Sequence, residues 1–101
     1  MKIEESIKNY LIVCAQKHQQ IQKIVLFGSR ARGDFNPRSD YDFAIYANSI
    51  SHSTWAQFRL EIEENIPTLC GVDLLLISDE TPIELKQQIQ LEGMTIYDAT
   101  N

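Results

Sequence analysis

Residues 24–47 read IVLFGSRARGDFNPRSDYDFAIYA, two strand signals around a polar loop. The first signal, Lys23-Ile24-Val25-Leu26-Phe27, is a β-prone run closed by Gly28. Its almost unbroken apolar character predicts an inner strand covered on both faces. Residues 28–40, GSRARGDFNPRSD, are polar and predict a short helical turn opening near Ser29, followed by a loop in which Phe35 packs. From Tyr41 to Ala47 the chain alternates, with Tyr41, Phe43 and Ile45 against Asp42, Ala44 and Tyr46. Side chains two apart on a strand share a face, so Asp40 and Asp42 point the same way. Tyr41 and Tyr46 are expected to point away from both carboxylates, as packing or rim residues.

On the N-terminal side, Ile3, Ile7, Tyr10, Leu11 and Cys14 recur at helical spacing. On the C-terminal side, Asn48 to Ser53 supply turn and cap residues, after which Trp55, Phe58, Ile62 and Ile66 form a second helical stripe. Glu61, Glu63 and Glu64 are expected on its wet side, and Pro67 ends it. Val72 to Ile77 is a third strand, apolar except for Asp73. Thr81 is expected to cap a last helix with Pro82 at its first position and Glu84 as the capping acid. Gly93 would stop it, and Met94 to Tyr97 make a final strand. The predicted order is α-β-(short α)-β-α-β-α-β, an α/β (α+β) class chain with residues 1–101 forming one domain.

Size and charge narrow the function. A monomer of 101 residues exposes roughly 6,000 Å² of about 17,000 Å² available to the unfolded chain, enough burial for one core. Nine Lys and Arg against 14 Asp and Glu leave a net charge of −5, which repels nucleic acid and anionic membrane at long range. Cys14 and Cys70 are too few for a disulfide framework and read as thiols of a reducing compartment. The acidic N-terminus is unlike a secretion signal, and no run of 18 apolar residues occurs. A soluble cytoplasmic protein, with neither membrane nor nucleic acid as partner, is the expectation.

Asp40, Asp42 and Asp73 begin or interrupt apolar strands, where an unpaired carboxylate is costly to bury. Taken singly, each fits a strand end facing water. Together they fit a hard divalent cation such as Mg²⁺, which takes carboxylate oxygens and keeps positions for phosphate; Mn²⁺ suits the same oxygens. Gly28-Ser29, directly after a strand, can present backbone N–H groups and a hydroxyl to phosphate oxygens. Arg30, Arg32 and Arg38 add positive charge. The Gly-Lys-Ser/Thr ending of a P-loop is missing.

The segment GSRARGDFNPRSDYDFAIY, residues 28–46, resembles the signature of the DNA polymerase β–type nucleotidyltransferase superfamily, Gly-Ser followed at a fixed distance by Asp-x-Asp. GVDLLLI, residues 71–77, resembles the strand carrying the third metal carboxylate. EGMTIYD, residues 92–98, is similar to the tail of the minimal nucleotidyltransferases, the MNT antitoxins. The resemblance implies the nucleotidyltransferase fold, a mixed sheet of about four strands packed against helices. It implies Gly28 and Ser29 on the β- and γ-phosphates of ATP, two Mg²⁺ ions on Asp40, Asp42 and Asp73, and Arg30 or Arg32 as an auxiliary phosphate contact. It further implies an antitoxin that transfers AMP to a tyrosine of a HEPN ribonuclease toxin. A non-catalytic antitoxin that blocks its partner by binding, and an enzyme acting on a small molecule or an RNA end, are the alternatives.

Overall fold

The computed structural model describes residues 3–100. Its elements are α1 (Glu5–Gln16), β1 (Ile21–Phe27), α2 (Ser29–Arg32), β2 (Tyr41–Ala47), α3 (His52–Asn65), β3 (Val72–Leu76), α4 (Ile83–Glu92) and β4 (Met94–Asp98), in the order expected from the sequence. The four strands form one mixed sheet ordered β3-β2-β1-β4, with β1 antiparallel to β2 and β4 and β2 parallel to β3. The accessible surface is 6283 Å², close to that expected for a monomer of this length.

The strand pleat divides the core in two. On one face, Ile24, Leu26, Phe43 and Ile45 pack with Ile7, Leu11 and Cys14 of α1 and with Phe58 and Ile62 of α3. Tyr41 joins this main core. On the other face, Val25, Ala44 and Ile89 of α4 form a smaller cluster bordered by Phe27, Tyr46, Leu75 and Leu85. Tyr46 therefore shares the face of Asp42, contrary to expectation. It lies four residues farther along β2, beneath the Lys23 ammonium at 5.6 Å from the ring centre.

Three local expectations are also corrected. β1 begins at Ile21 rather than Lys23, because Ile21 pairs with Ala47 across an irregularity in the ladder. Pro82 is the residue flanking α4, whereas Thr81 bends back so that its hydroxyl accepts the Ser78 amide at 3.0 Å. Glu61 is not on the wet side of α3. Its backbone carbonyl accepts the Tyr10 hydroxyl at 3.0 Å, its carboxylate meets Lys17 at 3.5 Å, and its Oε1 is buried between α1 and α3. Among the described residues no helix is long and apolar enough to cross a membrane.

Candidate active site

The parallel ladder sets Asp42 of β2 directly opposite Asp73 of β3. On its other side Asp42 faces Phe27, the last residue of β1, after which the chain turns at Gly28. The two carboxylates and the Gly28-Ser29 turn thus meet at one end of the sheet. They lie on the face carrying α4, outside the main core, because the residues alternating with Asp42 and Asp73 are the ones that fill it. Asp40 precedes this row by one pleat, its carboxylate resting against the backbone of Gly71. Asp40 and Asp73 are exposed and Asp42 is half-buried.

Burial pushes the Asp42 carboxyl above its ordinary range, and the charges of Asp73 and Asp40 push it further; Arg32 pulls the other way. A row of like charges held together by strand register is a donor set of hard oxygens, and a divalent cation would relieve its repulsion. Asp42 and Asp73 stand ready as a pair. Among the described residues, no three or more His, Cys, Asp or Glu side chains are placed to hold a metal ion together, so the expected set of Asp40, Asp42 and Asp73 is brought together here only as the Asp42–Asp73 pair.

Gly28 takes φ 76° and ψ −157°, a conformation that L side chains rarely adopt, and a Cβ there would overlap the Asp42 carboxylate. The turn can therefore pass over Asp42 only as glycine. The Gly28 carbonyl accepts both the Ala31 and Arg32 amides at 3.1 Å, which sets Ser29 and Arg30 as the first residues of α2. Amides in such a first turn precede any intrahelical acceptor, which suits the Ser29 amide and hydroxyl to phosphate oxygens.

The two arginines of α2 part company. Arg32 is exposed and paired with Asp34 at 3.3 Å and Glu92 at 3.6 Å, solvent-accessible links that an anionic ligand can displace. Arg30 departs from the expected phosphate contact. It is buried at 6% exposure, its Nε and Nη2 donate to the Ser39 carbonyl at 3.2 and 3.0 Å, and Nη2 also reaches the Pro37 carbonyl at 3.3 Å. Its guanidinium is sandwiched between Phe35 at 4.6 Å and Tyr41 at 4.2 Å. It braces the loop that leads into Asp40. The Arg-x-Arg spacing already carries this division, since helical residues two apart do not share a face. Cys70 belongs to the same brace, donating to the Pro37 carbonyl at 3.3 Å.

Comparison with known proteins gives consistent matches. A protein named "Putative protein adenylyltransferase MJ0604" from Methanocaldococcus jannaschii is 44% identical over 46 residues, which are 45% of this chain and 46% of that protein. The match thus spans about half the length of that curated relative. Among solved structures, a chain from a tri-AMPylated Shewanella oneidensis HEPN toxin in complex with MNT antitoxin superimposes with TM-score 0.68 at 20% identity, covering 99% of this chain and 75% of that one. A chain of a toxin–antitoxin structure with AMP-PNP gives TM-score 0.70 at 22% identity, covering 91% and 73%. A putative nucleotidyltransferase from Sulfolobus solfataricus gives 0.60 at 19%, covering 93% and 78%. These establish a shared fold. The family described as "Polymerase beta, Nucleotidyltransferase" matches residues 5–101, and the chain therefore belongs to it.

Proposed function

We propose that this protein is a Mg²⁺-dependent nucleotidyltransferase that moves AMP from ATP to a tyrosine hydroxyl of a HEPN-domain partner, neutralising that partner as its antitoxin. The observation carrying the reading is the register of Asp42 against Asp73 beside the Gly28-Ser29 turn. Membership of the nucleotidyltransferase family supports the class of reaction. The adenylyltransferase name of the Methanocaldococcus relative and the AMPylated toxin beside the Shewanella antitoxin support the acceptor.

In this reading Ser29 and the backbone at Gly28 hold the β- and γ-phosphates, and exposed Arg32 adds a charged contact. Asp40, Asp42 and Asp73 would hold two divalent ions. When bound, such ions withdraw charge from the α-phosphate and lower the pKa of the acceptor hydroxyl. Asp73, at the exposed edge of the row, receives the hydroxyl proton and passes it to water. The acceptor oxygen forms its bond to the α-phosphorus while the bond to the bridging oxygen breaks, and pyrophosphate leaves with that electron pair. Fixing the triphosphate between turn and carboxylates supplies the in-line alignment, the largest share of the rate expected from such a site.

The test is incubation with a HEPN-domain partner, ATP and Mg²⁺, read by intact mass and peptide mapping. The expected result is one adenylate, or a short run, on a partner tyrosine, absent with Asp42→Ala. A stable complex with no mass gain would instead mark an antitoxin that acts by steric blockade. Labelling of a small molecule or an RNA end in place of the partner would replace the acceptor.

A further inference from the structure

The two edges of the sheet are built differently. β4, at one edge, carries an extra residue, Ile96, in its ladder with β1, so its row of backbone groups is irregular. β3, at the other, keeps an unbroken parallel register with β2, and between Val72 and Leu76 it has neither the proline nor the lysine that commonly guards an open edge. Two bonds fix which of its backbone groups face inward: Tyr41 donates to the Gly71 carbonyl at 2.9 Å, and Ile77 donates to the Ile45 carbonyl at 2.9 Å. In a parallel ladder this phase commits the amides and carbonyls of Asp73 and Leu75 to β2 and turns those of Val72, Leu74 and Leu76 outward. Among the described residues these outward groups meet no backbone partner. No residue of β3 is fully buried, although four of its five are apolar.

We infer that the outer edge of β3 is the docking strand for the acceptor: an extended segment of the partner protein pairs with Val72, Leu74 and Leu76 and brings its hydroxyl-bearing residue to the α4 face beside Asp73. That placement rests on the proposed transfer to a partner hydroxyl; the open edge itself does not. A strand added here satisfies the outward row of amides and carbonyls, and its alternate side chains complete the burial of Leu74 and Leu76 on the main-core face. On the opposite face it lies next to Asp73, the exposed carboxylate of this same strand, so a segment held by its backbone is held at the site of transfer. Charge selects the occupant. A second copy would bring another −5 of net charge and, pairing antiparallel, would set two exposed Asp73 carboxylates on one shared face. A neutral or basic segment meets no such repulsion.

The experiment is amide hydrogen exchange followed residue by residue by NMR, on the protein alone and with a HEPN-domain partner, without ATP. In the free protein the amides of Val72, Leu74 and Leu76 should exchange quickly and those of Asp73 and Leu75 slowly. The partner should slow the first three about tenfold or more, as each gains a bond. Val72→Pro removes only an outward amide, at the first residue of an edge strand, where proline is tolerated. It should weaken partner binding about tenfold in calorimetry, with a melting temperature near wild type. Outward amides that stay unprotected in the complex overturn the inference, as does undiminished binding by Val72→Pro. Protection that grows with protein concentration alone assigns the edge to a second copy and overturns it too. Protection without AMP transfer once ATP and Mg²⁺ are added overturns the transfer reading and leaves β3 as a partner-binding edge; transfer without protection does the reverse.

Discussion

Asp42→Asn should make the metal-free protein more stable at neutral pH. Adjacent strands lie about 4.8 Å apart, so the ionised Asp42 and Asp73 face each other at roughly that distance. At an effective dielectric near 20, two like charges so placed repel by about 3.5 kcal/mol. Asp42 is only half-buried and Asp73 is exposed, and solvent screening cuts the repulsion to about 1 kcal/mol. Folding thus raises the Asp42 pKa above its ordinary 3.8, through burial first and then the charges of Asp73 and Asp40. The stability tied to this group is fully present below the unfolded value and is lost as pH rises through the folded one. Asparagine removes the loss. In EDTA at pH 7.5 the variant should melt about 4–8 °C above wild type, and the two curves should converge by about pH 3.5, below the unfolded value. Adding Mg²⁺ should reverse the order, since only the wild type gains the linked binding energy. Circular dichroism melts across pH, with and without Mg²⁺, measure all of this. A variant that melts below wild type in EDTA, or a gap that persists in acid, would refute the charge-conflict argument.

Two further outcomes separate the roles of neighbouring residues. Arg32→Ala should raise the ATP KM about tenfold with little change in the melting curve, because its exposed links to Asp34 and Glu92 carry little stability; an unchanged KM in steady-state AMP transfer would remove Arg32 from the phosphate site. Phe58→Ala, which empties a fully buried position stacked on Trp55 and edge-on to His18, should cost about 3–5 kcal/mol. That is a large part of the stability of a domain this size, so urea titration should show a sharply lowered midpoint.

Periodicity made the elements legible, because each helix or strand buries one side and repeats it locally. The stripes of α1 and α3 and the alternation of β2 all survive in the fold. What failed locally failed where another partner won. Thr81 answers the Ser78 amide instead of capping, and Glu61 is drawn into the seam between α1 and α3 by Tyr10 and Lys17. Tyr46 follows the strand period faithfully; the expectation that it points away from Asp42 contradicted that period, and the period prevailed.

The candidate site divides along the same line. Gly28, Ser29, Asp40 and Asp42 sit in one continuous stretch, so their proximity could be argued from a turn and a pleat. The pairing of Asp42 with Asp73 is of another kind, because it depends on the parallel register of strands separated by α3, and no local pattern specifies which residue of β3 faces which of β2. A slip of one residue would send Asp73 to the main-core face and break the row. Burial holds the register: Leu74 and Leu76 pack against the main core while Leu75 joins the smaller cluster under α4. The hydrophobic partition of a five-residue strand thus fixes where its one carboxylate stands, and the chemistry proposed for this end of the sheet depends on packing along the rest of it.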